Sequence, residues 1–210
     1  MWMTVNEPNV VTSLGYSTGV HAPGRTLGLY ALPAAHHLLL GHGLAAGALR
    51  AAGAQSVGIA QNHTIVWPAS ESEADQASAA LFDTMWNRIY SEPVLLGRYP
   101  DGIASMMPGP VEHDLKIVAA PLDFYGVNYY NPTMVGSPHA GEVVGGNVAS
   151  DLPFAIHDIS GYPTTDFGWP VVPEGLTAVL HQLRERFGEQ LPPVFITENG
   201  CAYNTIPDPS

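Results

Sequence analysis

Short apolar runs alternate with longer segments of helical periodicity along this chain. Four runs rich in β-branched and aromatic residues predict strands at 2–5, 57–60, 124–130 and 194–197. The segments between them predict helices at 29–52, 72–89, 112–118 and 173–187. Because strands that alternate with helices form parallel sheets with crossover connections, we expect an α/β fold. A complete small doubly wound sheet and a piece of an eight-stranded barrel both fit this order.

Two segments late in the chain differ sharply in their patterning. The segment 131–168 shows no sustained periodicity, and we predict an irregular loop that is functional or mobile. The segment 173–187 has the clearest helical pattern, with Pro173 at its start and Gly188 just beyond its end. This helix leads directly into the last predicted strand.

Composition limits the classes of partner that the chain can bind. Its 210 residues, 46% of them hydrophobic, suffice for one sizeable core, and we expect a single domain over residues 1–210. Lys and Arg total 7 against 19 Asp and Glu, which gives a formal net charge of -12 without any basic cluster. We therefore expect no nucleic-acid partner. Membrane association is not expected either, since no apolar run approaches the roughly 18 residues of a membrane span.

The single cysteine, Cys201, bears on the compartment and on catalysis. One cysteine cannot form an internal disulfide, which favours a reducing compartment. Met1 is followed at once by a strand-like segment, with no visible signal peptide, so we expect a cytoplasmic protein. Because no activating base is identifiable near Cys201, we predict a small buried filler rather than a catalytic thiol.

Two glutamates, Glu7 and Glu198, come directly after two of the predicted strands. In parallel α/β folds the carboxyl ends of strands are where ligands meet the protein, so this position favours a functional role. Retaining hydrolysis of a glycosidic bond needs one carboxylic acid and one nucleophilic carboxylate, roughly 5 to 5.5 Å apart. Taken alone, each glutamate is better explained as a loop carboxylate or a helix-cap acceptor.

The residues around the two glutamates change that interpretation. Five segments carry the pattern: 2–9 (WMTVNEPN), 15–24, 123–130 (DFYGVNYY), 166–176 and 193–200 (PVFITENG). In this order they resemble the family 1 glycoside hydrolases, the β-glucosidase and β-galactosidase group. The resemblance covers nearly the whole chain and is far more specific than a lone Asn-Glu-Pro tripeptide.

The resemblance implies a partial (β/α)8 TIM barrel, approximately strands four to seven with their helices. It also implies a retaining β-glycosidase that hydrolyses β-linked glucosides or galactosides by double displacement through a covalent glycosyl-enzyme intermediate. Glu7 would be the general acid/base, switching from acid to base between the two steps, and Glu198 would be the nucleophile. The substrate would be a β-glycoside or oligosaccharide, and no cofactor or metal is implied.

The same resemblance implies roles for the polar and aromatic neighbours. Asn6 would hydrogen-bond the sugar 2-hydroxyl. Tyr130 would donate a hydrogen bond from its phenol hydroxyl to the nucleophile and so hold it ionised and oriented. Asn128 would belong to the polar lining beside it. Trp169 is interpreted either as a platform on the aglycone side or as structural packing.

Two further patterns look like chemistry but are interpreted otherwise. His36, His37 and His42 sit on an Ala/Leu-rich helix with no Asp or Glu among them, so we predict packing or surface roles rather than a metal site. Residues 62–64 (NHT) form a formal glycosylation acceptor. We interpret it as a coincidence, because it lies where a strand would meet the mouth of the site.

An eight-stranded barrel typically needs about 250 residues, and only four strands are predicted here. The resemblance therefore implies an incomplete barrel that lacks strands one to three and eight, from a partial coding sequence. We expect such a chain to be inactive alone. The outer strands would have unpaired apolar edges, which predicts poor solubility. Sugar preference, aglycone preference and oligomeric state stay open.

Two other functions also stay open at this point. A non-catalytic sugar-binding or structural barrel fragment would keep the fold without turnover, although the presence of both carboxylates argues against it. An unrelated small α/β binding protein would require all five matches to be accidental. No Gly-rich phosphate loop follows the first strand to support it.

Overall fold

The structure, a computed structural model, describes residues 1–138 and 152–204. Its strands are β1 (Trp2–Asn6), β2 (Val57–Asn62), β3 (Val66–Pro68), β4 (Phe124–Asn128), β5 (Thr133–Gly136), β6 (Ala155–His157) and β7 (Val194–Glu198). Its α-helices are α1 (Pro8–Val10), α2 (Leu32–Ala51), α3 (Glu73–Asp83), α4 (Ile89–Leu96), α5 (Val111–Val118) and α6 (Pro173–Phe187). Two π-helical segments, Val11–Ser17 and Thr84–Arg88, continue α1 and α3.

Four of the strands form one parallel sheet in the order β1, β2, β4, β7. They are the four strands that the apolar runs predict. The central pair, β2 and β4, is buried almost throughout, as expected for strands covered on both faces. The prediction of an α/β fold around a parallel sheet is therefore confirmed.

A second sheet of β3, β5 and β6 corrects the prediction for the segment 131–168. Two of its strands, β5 and β6, are antiparallel partners within that segment, where we expected no regular element. They have 4 and 3 residues, too few for alternation of polar and apolar positions to show in the sequence. Residues 139–151 of the predicted loop lie outside the described residues.

The helix boundaries follow local signals in the sequence. Ser72 caps α3, because its side chain accepts a hydrogen bond from the backbone nitrogen of Asp75 at 3.1 Å. The predicted helix at 72–89 is interrupted by the second π-helical segment, and α4 then continues to Leu96. Helix α6 begins at Pro173 and ends before Gly188, as predicted. Among the described residues, no helix combines the length and the apolar character needed to cross a lipid bilayer.

The core lies between the parallel sheet and the helices packed on it. Buried apolar side chains from both layers form it, including Ile59, Tyr125 and Val127 from strands and Leu39, Val179 and Leu183 from helices. The two outer strands are less protected. Trp2 on β1 is 57% exposed and Ile196 on β7 is 44% exposed. Within the described residues, each of these strands also has one edge without a partner strand.

Candidate active site

The carboxyl ends of the four parallel strands carry polar side chains. Asn6 ends β1 and is followed by Glu7, while β2, β4 and β7 end at Asn62, Asn128 and Glu198. All four strands run in the same direction, so these residues lie at one end of the sheet. In parallel α/β folds this end is where ligands bind.

Glu7 has an unusual backbone conformation. Its φ of 47° and ψ of 57° lie in the left-handed region, and no other non-glycine residue among those described has a positive φ. Pro8 disfavours the right-handed helical conformation for the residue before it. The Glu7 N–H donates to the carbonyl oxygen of Ala60 at 2.9 Å and fixes this turn. This backbone conformation costs about 1 to 3 kcal/mol, and it turns the side chain of Glu7 towards the end of the sheet.

Two amides hold one oxygen of the Glu7 carboxyl group. Oε1 accepts a hydrogen bond from Nδ2 of Asn62 at 3.0 Å and another from Nδ2 of Asn128 at 2.9 Å. Both donors are neutral, and neither can accept a proton from the carboxyl group through these contacts. A proton on Glu7 must therefore reside on Oε2, which receives no hydrogen bond from the described residues.

The carboxylate of Glu198 is hydrogen-bonded to a tyrosine side chain. The hydroxyl of Tyr130 donates to Oε2 of Glu198 at 2.6 Å. Burial and this hydrogen bond, with the negative charges of Glu198 and Glu7, raise the pKa of Tyr130 to about 12. The phenol therefore remains a donor at neutral pH. Tyr130 and Asn128 both lie at the carboxyl end of β4, and Asn128 donates to Glu7 at 2.9 Å. Both carboxyl groups are therefore hydrogen-bonded at the end of β4, although β1 and β7 are the outermost strands of the sheet.

Asn128 lies between the two residues that carry the carboxylates. Its side chain is buried, and Nδ2 donates to Oδ1 of Asn6 at 3.1 Å as well as to Glu7. Its Oδ1 accepts from the hydroxyl of Thr197 at 2.5 Å. In the β4–β7 ladder the backbone of Asn128 pairs with Glu198, at a point where the register shifts. One amide thus fixes the relative placement of residues from three strands.

The structure therefore brings together five residues singled out from the sequence: Asn6, Glu7, Asn128, Tyr130 and Glu198. Asn62 is a sixth residue of the site, and sequence reasoning missed it. From the sequence, Asn62 is interpreted only as part of a formal glycosylation acceptor. Its position was the available signal, because Asn62 ends β2 as Asn6 ends β1 and Asn128 ends β4.

Trp169 lies at the side of this cluster. Its ring centroid is 5.5 Å from that of Tyr130 and 5.5 Å from that of Phe167, and the residue is 40% exposed. Together with Tyr129 and Asn199 it lines a cavity of about 240 Å³. The indole thus has one side packed on the site and another open to solvent.

The other candidates from the sequence lie away from this cluster. His36 is buried and is hydrogen-bonded to the Tyr99 hydroxyl at 2.9 Å and to an oxygen of Asp114 at 3.1 Å, so it has a structural role that joins α2 to α5. Among residues 1–138 and 152–204, no three His, Cys, Asp or Glu side chains form a group able to hold a metal ion. The prediction that Cys201 is a buried filler is wrong. Cys201 is exposed, because it follows β7 in a segment without regular structure.

Comparison with known proteins gives consistent matches. A model of the family described as "Glycosyl hydrolase family 1" matches residues 1–208. Beta-glucosidase A of Acetivibrio thermocellus is 35% identical over 213 residues, covering 97% of this chain and 45% of the relative. The beta-glucosidase of an Agrobacterium species is 35% identical, covering 96% of this chain and 43% of that protein.

Solved structures agree with the sequence relatives. A family 1 β-glucosidase from Thermotoga maritima superposes with a TM-score of 0.83 at 31% identity, covering 98% of this chain and 44% of that one. The psychrophilic beta-glucosidase from Micrococcus antarcticus gives a TM-score of 0.84 at 36% identity, covering 96% of this chain and 46% of that one. The chain thus spans less than half the length of the relatives that it matches.

Proposed function

This chain belongs to glycosyl hydrolase family 1, and we propose that it supplies both catalytic carboxylates of a retaining β-glycosidase acting on β-linked glucosides or galactosides. One observation carries the proposal. Glu7 and Glu198 extend from the same end of one parallel sheet, and Asn128 donates a hydrogen bond to Glu7 while its backbone pairs with Glu198. Two carboxyl groups that face a common space are the minimum that this chemistry requires.

In the first step, Glu7 acts as the acid and Glu198 as the nucleophile. The proton on Oε2 of Glu7 passes to the glycosidic oxygen while the bond from that oxygen to the anomeric carbon breaks. A carboxylate oxygen of Glu198 attacks the anomeric carbon from the opposite face and forms a glycosyl ester. The hydrogen bond from Tyr130 orients the attacking carboxylate, and Asn6 binds the sugar 2-hydroxyl, an interaction that strengthens in the transition state.

In the second step, Glu7 acts as the base. Its carboxylate takes a proton from a water molecule, whose oxygen attacks the anomeric carbon. The ester bond breaks, and Glu198 leaves as a carboxylate. Two inversions at the anomeric carbon return the β-configuration, and Glu7 is again protonated for the next cycle. On the aglycone side, the exposed face of Trp169 offers an apolar platform.

The parallel sheet corresponds, in this proposal, to strands four to seven of a (β/α)8 barrel, and residues 1–210 form one incomplete barrel domain. The chain spans 45% of the length of the Acetivibrio relative. Since sugar-binding groups in a barrel come from the ends of many strands, hydrolysis belongs to the whole protein. We expect the 210-residue chain alone to be inactive.

The test uses the complete protein in which this chain occurs. Hydrolysis of phenyl β-glucoside, whose leaving group needs protonation, is compared in the wild type, Glu7→Ala and Glu198→Ala, and we expect both substitutions to lower kcat/KM by about 10²-fold or more. Unchanged hydrolysis in either variant would remove that residue from its role. A wild type that binds glucosides without hydrolysing them would favour a non-catalytic sugar-binding protein.

Azide separates the two roles. With Glu198→Ala, azide can attack directly from the face that the missing carboxylate used, giving a glycosyl azide of inverted configuration. With Glu7→Ala, the ester to Glu198 still forms, so azide gives a product of retained configuration. If Glu198→Ala gave the retained product and Glu7→Ala the inverted one, Glu7 would be the nucleophile and Glu198 the acid/base.

A further inference from the structure

We propose that Trp86 is a positioning residue for Glu7 that acts through the side chain of Asn62. The inference rests on the proposed role of Glu7 as general acid. Trp86 lies in the π-helical segment Thr84–Arg88, far from Glu7 in the sequence. Its indole Nε1 donates a hydrogen bond to Oδ1 of Asn62 at 3.3 Å, and Nδ2 of the same amide donates to Oε1 of Glu7 at 3.0 Å.

The indole N–H decides which end of the Asn62 amide faces Glu7. An amide has an acceptor end and a donor end. With Oδ1 held by the indole, Nδ2 must point to Glu7. If the amide turned over, its Oδ1 would face the carboxyl oxygen, where two acceptors repel. The indole therefore keeps Oε1 of Glu7 as an acceptor, which leaves Oε2 as the only place for the catalytic proton.

Trp86 is itself held firmly. Its ring stacks on Phe82 with centroids 5.8 Å apart and an interplanar angle of 8°. Asn9, two residues after Glu7, donates to the carbonyl oxygen of Trp86 at 3.3 Å and to that of Asn62 at 2.9 Å. This buried amide joins the π-helical segment, the end of β2 and the turn that carries Glu7.

The surroundings of the indole point to a use for its N–H beyond packing. Trp86 also lines an apolar cavity of about 180 Å³ with residues such as Leu14, Leu32 and Ile156. A phenylalanine would serve the stack on Phe82 and this apolar wall. The π-helical segment inserts an extra residue into its turn, a device found frequently at functional sites. The one polar group of the ring is directed at the amide that binds Glu7.

The test measures kcat/KM of the complete protein on aryl β-glucosides with different leaving groups. A dinitrophenolate leaves without protonation, whereas a phenolate needs the proton of Glu7. We expect Trp86→Phe to lower kcat/KM for phenyl β-glucoside about 10-fold and to leave that for dinitrophenyl β-glucoside within about 2-fold. An equal loss on both substrates, or no loss on either, would overturn the inference.

Two controls separate positioning from folding. Phe82→Leu loosens the stack but keeps the indole N–H, so its selective loss on phenyl β-glucoside should be smaller than that of Trp86→Phe. In an Asn62→Ala background, adding Trp86→Phe should have no further selective effect, because the amide through which it acts is absent. If Glu7→Ala itself shows no dependence on the leaving group, the proposed function fails. If kcat/KM depends on the leaving group in Glu7→Ala but not in Trp86→Phe, only the role of Trp86 fails.

Discussion

The side chain of Asn128 donates a hydrogen bond to Oε1 of Glu7 at 2.9 Å, although the two residues are 121 positions apart in the chain. The backbone of Asn128 also pairs with Glu198 on the neighbouring strand. A single buried amide thus sets the position of one carboxylate and lies beside the backbone of the other. Its contribution can be measured separately from that of either glutamate.

Asn128→Ala should affect both activity and stability. It removes a donor to Glu7 and leaves the hydroxyl of Thr197 without its acceptor. We expect kcat/KM of the complete protein to fall by about 10²-fold. The free energy of unfolding should fall by about 1 to 3 kcal/mol, because a buried polar group loses its partner. Steady-state kinetics and urea unfolding measure the two effects.

Asn131→Ala is the matched control for that experiment. Asn131 follows the same strand, but within the described part of the chain its side chain donates only to the adjacent carbonyl of Pro132. Its replacement should change stability by less than about 0.5 kcal/mol and should leave kcat/KM near the wild-type value. Equal effects of the two substitutions would show that the Asn128 amide has no special role.

Tyr130→Phe tests the hydrogen bond to the nucleophile. The substitution removes the donor that lies 2.6 Å from Oε2 of Glu198, while the ring remains beside Trp169. We expect kcat on aryl β-glucosides to fall about 10 to 100-fold, since the attacking carboxylate is no longer oriented. A fall in substrate affinity with unchanged kcat would instead assign Tyr130 to binding.

The strands of the site could be predicted from the sequence, whereas most of its contacts could not. Apolar runs that end in Asn6-Glu7 and Thr197-Glu198 mark two strand ends directly, because short runs of β-branched and aromatic residues followed by polar residues are typical of strands. Asn62 also ends a predicted strand, but its contact with Glu7 depends on pairing between strands that are distant in the chain and cannot be predicted from that position alone. The indole of Trp86 is directed at Asn62 from a π-helical segment. A single extra residue in a helical turn cannot be recognised from the spacing of apolar residues in the sequence.

Gly43→Ala should destabilise the packing of α2 on α5. A Cβ at position 43 would lie 2.1 Å from the carbonyl oxygen of Ile117, and a backbone atom cannot move aside easily. We expect a loss of about 1 to 3 kcal/mol in the free energy of unfolding. Gly47, one turn later on α2, is the control because a Cβ there meets nothing within 4 Å.

Gly47→Ala should stabilise the protein by about 0.5 to 1 kcal/mol, because alanine loses less backbone entropy in a helix. Urea unfolding of the two variants therefore gives shifts of opposite sign. Shifts of the same sign would mean that helix propensity, rather than contact with α5, governs both positions.

Two buried histidines make stability depend on pH. Burial lowers the pKa of His42 and of His63 from 6.5 to about 4. Between these values the unfolded chain binds protons that the folded chain does not. The free energy of unfolding is therefore highest above pH 6.5 and decreases as the pH falls towards 4. The total decrease is on the order of 3 kcal/mol for each histidine.

Unfolding measured at about pH 7 and about pH 5 tests this dependence. The wild type should be less stable at the lower pH, and His42→Gln should show a smaller difference between the two. His37, which is exposed on the same helix, supplies the control. His37→Gln should keep the full wild-type difference. If both variants match the wild type, His42 does not contribute to the pH dependence.

The open edges of the main sheet predict self-association of the 210-residue chain. β1 and β7 each lack a partner on one side within the described residues, and Trp2 and Ile196 expose apolar surface there. An exposed strand edge with apolar side chains pairs readily with another chain. We expect the isolated chain to form oligomers at micromolar concentration, detectable by sedimentation velocity.

Charged substitutions at both edges should oppose that association. The double variant Trp2→Lys/Ile196→Lys places a charge on each open strand, and like charges that must meet during pairing raise its free energy. Phe167→Lys is the control, because Phe167 is 70% exposed but lies outside the sheet. The double variant should shift the population towards monomer, and Phe167→Lys should not. A monomeric wild-type chain with a cooperative thermal transition would contradict the prediction, since the edges would then be tolerated in water.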